Sequence, residues 1–409
     1  METRSILKIL MLVLLMVMTS ISLAEEEDTW TRKTDMPTRR LGLSTSAVNG
    51  KIYAIGGGNS IEGSAFRTVE EYDPMTDTWT KKTDMPGQRY FHSASVVNGK
   101  IYVIGGAIAE MVITPTVDEY DPAMDTWTTK ADMPTARCFL STSVTHGKIY
   151  AIGGEIYPGD FSVPTVEEYD PATDTWIKKA DMPTARSMLA ASVLDGKIYV
   201  IGGVIGGVGG SGTSIVEEYD PATDTWTRKA NMPTSRKALC ASAVAGKIYA
   251  SGGGTGFGNP FSALEAYDPT TETWTTKADM PIPRYFHSTC AVDDKIYVFG
   301  GAVRFPPHTS TSTVEEYDPH PLVVDFNGDA RIDCIDVCDM IEHWGTDNAL
   351  YDIAPPPFGD SIVDGQDLLV LAEHIADAGA VLAGDVNCDG LVDFLDLAEL
   401  SRNWLMQQP

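Results

Sequence analysis

The sequence predicts an all-β, six-bladed propeller of four-stranded antiparallel blades, closed by its own N-terminal strand and followed by a smaller α-helical module. Three observations lead to this prediction. A unit of about fifty residues recurs along most of the chain, each unit divides into strand-like pieces, and half a unit stands at each end of the array.

The repeated unit is marked by pairs of glycines that recur at intervals of 48 to 50 residues. The pairs begin at Gly56, Gly105, Gly153, Gly202, Gly252 and Gly300. A Tyr-Asp-Pro segment follows each pair, and in the first five units a tryptophan stands seven residues after the tyrosine. A period near 50 residues with several short strands per unit is typical of propeller blades rather than of helical repeats.

Each unit contains four strand-like pieces, as the first unit illustrates. Residues 43–48 are small and β-branched, and an Asn-Gly pair at 49–50 predicts a tight hairpin to residues 51–55, because both residues tolerate a positive φ. Residues 68–72 alternate apolar and acidic side chains, as a half-buried strand does, and residues 78–80 open the outer strand. The following Met-Pro pair ends that strand, since proline cannot continue a ladder.

The two incomplete units complete one another. The segment that begins at Trp30 lacks the preceding Tyr-Asp-Pro, because Leu23 stands where the tyrosine is expected. The last Tyr-Asp-Pro, at Tyr317, lacks its tryptophan, because Val324 stands there. We therefore expect the segment at Trp30 to supply the outer strand of the sixth blade, so that residues 25–321 form a closed ring.

The Gly-Gly, tyrosine and tryptophan residues at these offsets resemble kelch repeats over residues 30–320. The resemblance implies a β-propeller with four strands in each blade. Such a fold leaves the function open, since function resides in particular sites on the fold.

Charge and composition limit the cellular location of the protein and the classes of partner it can bind. The formal net charge of −27 argues against nucleic acid as a partner. Residues 1–24 combine a basic start, an apolar run and small residues before an acidic segment, which predicts a secretory signal peptide, with a retained N-terminal anchor as the alternative. We expect a secreted or cell-surface protein with no membrane span after cleavage. The six cysteines form no clear disulfide pattern.

Two sets of residues are candidates for ligand binding on the propeller. The first is an arginine three residues after each Met-Pro proline, which could form a ring that captures carboxylates: Arg40, Arg89, Arg137, Arg186, Arg236 and Arg284. The alternative is structural, with each arginine linking one blade to the next through backbone carbonyls and tryptophan stacking. The second set is the variable loop after each glycine pair, where aromatic residues stand among glycines and could bind sugar faces or peptide side chains. The alternative is that each aromatic side chain fixes its own loop to the blade.

The acidic C-terminal region, residues 322–409, carries two loops with oxygen-bearing side chains at the spacing that surrounds one Ca²⁺. The expected ligands of the first loop are Asp325, Asn327, Asp329, Arg331 through its carbonyl, Asp333 and Asp336. Those of the second are Asp385, Asn387, Asp389, Leu391 through its carbonyl, Asp393 and Asp396. A degenerate third loop spans residues 352–367.

These loop and helix units resemble type I dockerins, which implies calcium binding and docking on a cohesin-like protein. Residues 334–335 and 394–395 depart from the small hydroxyl residues usual at that contact, so another surface partner or the propeller itself remains an alternative.

The sequence offers little for catalysis. His92 and His287 recur in Arg-Tyr-Phe-His-Ser segments, and a paired site is one hypothesis. A proton-transfer site that uses Glu62, Glu110 or Glu155 with the arginines is another. The favoured expectation is a non-catalytic binding or scaffolding protein that recognises a protein or carbohydrate. The alternative is an enzyme or accessory component of extracellular polysaccharide or sugar-acid metabolism that uses the arginine-lined face.

Overall fold

The computed structural model describes residues 29–319, apart from 61–63, 109–110, 158–160, 208, 257–259 and 304–308. The predicted signal peptide and C-terminal module therefore lie outside the described residues. The described part consists of six four-stranded antiparallel sheets and one short two-stranded hairpin. No helix in this part of the chain is long and apolar enough to cross a membrane.

The strands follow the predicted order. The first half of the described sequence contains β1 (Thr29–Lys33), β2 (Ser44–Val48), β3 (Lys51–Ile55), β4 (Val69–Asp73), β5 (Thr78–Lys81), β6 (Ser93–Val97), β7 (Lys100–Ile104), β8 (Val117–Asp121), β9 (Thr126–Lys130), β10 (Ser141–Thr145), β11 (Lys148–Ile152), β12 (Glu155–Ile156), β13 (Phe161–Ser162), β14 (Val166–Asp170) and β15 (Thr175–Lys178). The second half contains β16 (Ala190–Leu194), β17 (Lys197–Ile201), β18 (Val216–Asp220), β19 (Thr225–Arg228), β20 (Cys240–Val244), β21 (Lys247–Ser251), β22 (Leu264–Asp268), β23 (Thr273–Lys277), β24 (Ser288–Val292), β25 (Lys295–Phe299) and β26 (Val314–Asp318).

Blades one to five are continuous in sequence, and blade six is assembled from both ends of the array. Its order is β24-β25-β26-β1, so the N-terminal strand pairs antiparallel with the last one, Trp30 opposite Tyr317. The Trp30 indole nitrogen donates to the carbonyl of Ala278 at 2.9 Å, as the tryptophans of the other blades do to their preceding neighbours. The predicted closure of the propeller by β1 is thus confirmed.

The first strand of every blade lies innermost, and each inner strand contacts those of the two adjacent blades. The side that carries the second-to-third strand connections and the links between blades is called the loop face. The opposite side carries hairpins such as Asn49–Gly50 and is called the turn face. Apolar side chains fill the space between neighbouring blades, for example Tyr150, Ile198 and Tyr219. Burial of such side chains contributes about 1.5–3 kcal/mol each.

The glycine pairs are required by close approach of neighbouring backbones. Gly56 and Gly57 have φ values of 58° and 89°. A Cβ atom on Gly56 would lie 2.7 Å from the carbonyl oxygen of Arg89 in the next blade, too close for any side chain. The Gly57 amide donates to the same oxygen at 2.9 Å, so the pair joins blade one to blade two.

Candidate functional site

The six arginines are buried in the framework of the blades, with exposed fractions of 0–2%. In blade four the Arg186 guanidinium donates to the carbonyl oxygens of Gly202 and Ile215 at 2.7 and 2.9 Å, and to Glu217 Oε2 at 2.7 Å. Every arginine has an equivalent buried carboxylate partner in its own blade. The partners, in blade order, are Glu70, Asp118, Glu167, Glu217, Glu265 and Glu315.

This arrangement corrects the prediction that the arginines form a ring for ligand capture. Their charges are neutralised by buried partners and their amino groups are engaged by backbone carbonyls, so none faces solvent. Burial lowers the pKa of Arg186 to about 10, against the opposing effect of Glu217, so the side chain stays charged at neutral pH. The structural alternative is supported in part. The main-chain carbonyl of Arg186 accepts from the Gly154 amide of blade three at 2.9 Å, but the guanidinium bonds lie within blade four, and the tryptophans pack on tyrosines instead.

The buried arginine–carboxylate pairs also correct the expectation that buried apolar residues alternate with exposed acidic residues in the third strand of each blade. Glu70 in β4 has an exposed fraction of only 3%, although it precedes another glutamate. It is buried because Arg40 donates to its Oε2 at 2.6 Å and the hydroxyl of Thr38 donates to its Oε1 at 2.7 Å. The first acidic residue of each third strand is therefore a buried counter-ion rather than a solvated side chain.

A ring of backbone hydrogen bonds closes the loop-face end of the central channel. Gly42 and its five equivalents each donate their amide to the carbonyl of the preceding blade, at 2.8–3.0 Å. The six members are Gly42, Phe91, Phe139, Met188, Ala238 and Phe286. All six have φ values between 50° and 62°.

The aromatic members of this ring fill its centre. The ring centroids of Phe139 and Phe286, from opposite blades, lie 5.8 Å apart. The centroid of the Phe91 ring lies 4.3 Å from that of Phe139 and 5.0 Å from that of Phe286. Glycine is required at position 42 because a Cβ there would lie 2.6 Å from the Phe91 ring. The channel is therefore blocked at the loop face by an aromatic plug formed by Phe91, Phe139, Met188 and Phe286.

His92 and His287 do not form a paired site, which corrects that hypothesis. The His92 ring packs against Gly56 of blade one and the His287 ring against Gly252 of blade five, so the two rings occupy different interfaces. Both are buried, and desolvation together with the neighbouring arginines lowers the pKa of each to about 3. The hydroxyl of Ser251 lies 2.9 Å from Nε2 of His287. Leucine occupies the equivalent position in the other four blades.

Large exposed apolar side chains concentrate on the loops of blades two to four. Val112 is 52% exposed, Tyr157 64%, Phe161 62% and Ile205 50%. Tyr157 and Phe161 belong to the hairpin formed by β12 and β13, and Ser162 at its end donates to the Val204 carbonyl at 3.0 Å. The blade-three and blade-four loops thus contact one another. We call these four exposed side chains the apolar loop patch.

A buried polar cluster supports that patch from below. Glu155, Ser187 and Lys237 have exposed fractions of 0–3%. The Ser187 hydroxyl donates to Glu155 Oε2 at 3.1 Å, and Lys237 Nζ donates to the Gly210 carbonyl at 2.7 Å. Burial lowers the pKa of Lys237, and the charge of Glu155 opposes that shift. The cluster fixes the start of the blade-three hairpin and the glycine-rich loop of blade four.

Sequence reasoning found the loops but missed Lys237 and the aromatic plug. Lys237 was detectable, since it is the only charged residue among those that follow the six arginines. Of the three glutamates proposed for proton transfer, Glu155 is buried, and Glu62 and Glu110 lie outside the described residues. All twelve predicted calcium ligands, from Asp325 to Asp396, also lie outside them. The described part contains no cluster of three or more metal-binding side chains.

Comparisons with known proteins concern the propeller. A family model described as the KLHDC2/KLHL20/DRC7 Kelch-repeats domain matches residues 17–203 and 169–301, and one described as the Kelch motif matches residues 283–320. A solved structure titled "Structure of YjhT" aligns with a TM-score of 0.60 at 17% identity, covering 69% of this chain and 95% of that chain. At that identity the likeness shows the fold alone. No curated protein matches significantly.

Proposed function

We propose, from the premise that the chain belongs to the kelch-repeat family, that it is a non-catalytic binding protein whose loop face recognises a protein partner. A kelch propeller suggests a binding or scaffolding role, and the apolar loop patch is the observation that carries the choice of partner. Its four side chains come from three neighbouring blades, and all are at least half exposed.

The chemistry of the patch favours a protein segment over a glycan. Exposed clusters of large apolar side chains mark surfaces that bury apolar partners, and aromatic residues supply much of the energy at such contacts. Val112 and Ile205 are aliphatic and offer no hydrogen bonds to sugar hydroxyls. The enzyme alternative that relied on the arginines is disfavoured, since those guanidinium groups are buried and paired.

Hydrogen bonds order the loops that carry Tyr157, Phe161 and Ile205 before a partner binds, which favours binding. The hairpin that carries Tyr157 and Phe161 is joined to the blade-four loop through Ser162, whose hydroxyl also accepts from the Gly207 amide at 3.2 Å. Glu155 and Lys237 hold the bases of the same two loops. A surface ordered before binding loses less conformational entropy when a partner docks.

The proposal is tested by selecting peptides from a phage-displayed library on the immobilised full chain. We expect enrichment of peptides with aromatic or aliphatic anchors, and affinities reduced at least tenfold by Phe161→Ser or Ile205→Ser. Met75→Ser is the matched control, because Met75 is 89% exposed on the turn face. Selected peptides that bind both patch variants as tightly as the wild type would refute the assignment of this surface.

A second part of the proposal concerns residues 322–409, which we propose bind two Ca²⁺ ions and dock on a partner outside the cytoplasm. The oxygen spacing of the two loops and the 18 acidic against 2 basic side chains in this region support it. The segment that precedes Glu25 supports export.

Titration of the full chain with CaCl₂ by calorimetry tests the calcium proposal. We expect two sites, one of which is lost in Asp389→Ala, whereas Asp377→Ala, outside both predicted loops, retains both. The absence of any saturable heat change, released or absorbed, on titration with Ca²⁺ would contradict the proposal. Export is checked separately by N-terminal sequencing of the mature protein, which is expected to begin at Glu25.

A further inference from the structure

The central channel beneath the aromatic plug contains a cavity of about 190 Å³. It is lined by residues 42–45 and by the equivalent four residues of each of the other five blades. The plug closes it toward the loop face. In the opposite direction, inner-strand residues such as Ala47, Val96, Val144 and Val193 are only partly buried, so the channel continues toward the turn face.

The wall of this cavity is divided into a polar and an apolar side. Hydroxyl groups line it on blades six, one, two and three: Ser288, Thr289, Ser44, Thr45, Ser93, Ser141 and Thr142. On blades four and five the corresponding side chains are small and mostly apolar: Ala190, Ala191, Cys240 and Ala241. The phenylalanine rings of the plug form the end wall. The cavity therefore offers hydrogen bonds on one side and apolar contact on the other.

One fully buried hydroxyl in the polar wall has no partner among the described residues. Ser288 Oγ accepts from the Thr45 amide at 2.9 Å, and Ser93 Oγ accepts from the Thr142 amide at 3.0 Å. Ser44, at the equivalent position of blade one, is 7% exposed, and its Oγ makes no hydrogen bond to any described residue. A buried hydroxyl without a partner costs free energy unless a ligand or a water molecule satisfies it.

Size and charge restrict the occupant. The volume equals about six water molecules and is below the ~300–1,000 Å³ of pockets for drug-sized ligands. Among the lining residues there is no aspartate, glutamate, lysine or arginine, and the two histidines are neutral at physiological pH because their pKa is lowered to about 3. A charged ligand would lose its hydration without gaining a counter-charge.

From these features we infer that the channel is a binding site for a neutral, polyhydroxylated molecule of monosaccharide size that enters from the turn face. Its hydroxyls bond to the polar wall, including Ser44, and a C–H face packs on the phenylalanine rings and alanines. This site is separate from the apolar loop patch and independent of the partner proposed for it.

Saturation-transfer NMR on the full chain tests the inference with D-glucose, D-xylose and myo-inositol as neutral probes. D-gluconate and D-glucosamine serve as charged counterparts. We expect saturable binding of at least one neutral probe in the millimolar range and none of the charged ones. Ala191→Phe, which fills the apolar side, should abolish the signal, and Ser44→Ala should weaken binding about fivefold, as expected for one hydrogen bond.

Controls separate the channel from the loops and from misfolding. Phe161→Ser, on the loop face, should bind the neutral probes as the wild type does. Ala241→Phe replaces Ala191→Phe if thermal melting shows that the latter does not fold. The inference is overturned if no neutral probe saturates up to about 100 mM, if the channel-filling variant still binds, or if charged probes bind equally well. The first result would mean that the cavity holds water alone.

Discussion

Two layers on the same side of the propeller contrast sharply. The arginine layer is nearly identical in six blades, buried and paired, whereas the loops outside it differ in every blade and carry the exposed apolar side chains. The first layer holds the blades together, and the second provides a surface for a partner. In a repeat protein, a residue found in every unit is therefore more informative about the framework, and a departure from the repeat is more informative about function.

The largest effect expected within this comparison comes from breaking one arginine pair. Arg186→Met removes the buried counter-charge of Glu217, leaving only the half-exposed Arg228 guanidinium at 3.8 Å, and should destabilise the propeller by about 3–5 kcal/mol. The measurement is equilibrium unfolding in urea. Arg39→Met is the matched control, because the Arg39 side chain is exposed and lies outside the arginine pairs, so its change in stability should stay below about 0.5 kcal/mol.

Unchanged stability in Arg186→Met, together with loss of ligand binding, would support the prediction that the arginines capture a ligand. If Arg186→Met unfolded like the wild type but lost a carboxylate ligand, the arginine layer would have a binding role after all. Unfolding at a lower urea concentration, with peptide binding at the loop patch retained below the transition, would separate the two layers as described.

At neutral pH the two histidines that depart from leucine have a smaller effect, but that effect grows as the pH falls. Their pKa is about 3 in the folded state against 6.5 ordinarily, so between these values the unfolded chain binds protons that the folded chain does not. Stability should therefore fall as the pH drops from about 6.5 to 3, by about 1.4 kcal/mol per pH unit for each histidine. His92→Leu combined with His287→Leu should remove that part of the slope.

Unfolding in urea between pH 4 and pH 7 measures this effect. Carboxylates titrate in the same range, so the difference between the double variant and the wild type is the relevant quantity. His146→Asn is the control, because His146 is exposed on a hairpin turn with a φ of 51°, which asparagine tolerates. Equal pH slopes for the double variant and the wild type would contradict the burial of neutral imidazoles.

The smallest effect concerns a tyrosine–aspartate hydrogen bond that is present in blade four and absent in blade five. In blade four, Asp224 accepts from the Tyr219 hydroxyl at 2.6 Å and from the Ala180 amide at 2.9 Å, which links blades three and four. Blade five has Glu272 instead, and the Tyr267 hydroxyl has no partner among the described residues. Glu272→Asp should restore this bond and stabilise the protein by about 1 kcal/mol, offset in part by loss of the surface ion pair in which Lys229 Nζ lies 2.9 Å from Glu272.

The reciprocal change gives a matched test of the same contact. Asp224→Glu should lower the midpoint of urea unfolding by a similar amount. If both variants are neutral, the tyrosine–aspartate contact does not stabilise the junction between blades, and the departure in blade five has no energetic consequence.

Much of the framework could be predicted from the sequence because its causes are local. The Asn-Gly hairpins, the glycine pairs and the prolines that end the outer strands each fix the backbone within a few residues. The closure at Trp30 followed from counting half units. The pairing of the arginines was also detectable, since every unit carries an acidic residue two positions before its tyrosine, from Glu70 to Glu315.

The plug and the cavity could not be predicted in the same way. Phe139 and Phe286 are far apart in the sequence, and their contact depends on how six blades converge on one axis. Burial of Lys237 beneath the blade-four loop likewise depends on loop conformation, which glycine-rich sequences leave undetermined. The calcium loops and the signal peptide remain predictions from the sequence.

The ring of six amide-to-carbonyl bonds around the axis has a consequence for the evolution of the repeat. Each bond at 2.8–3.0 Å joins one blade to the next, so the width of this circle depends on the number of blades. A seventh unit would widen the circle, separate the facing phenylalanines and open a pore along the axis. Duplication of a single blade would thus alter every junction at once, and this geometry disfavours gradual growth of the array.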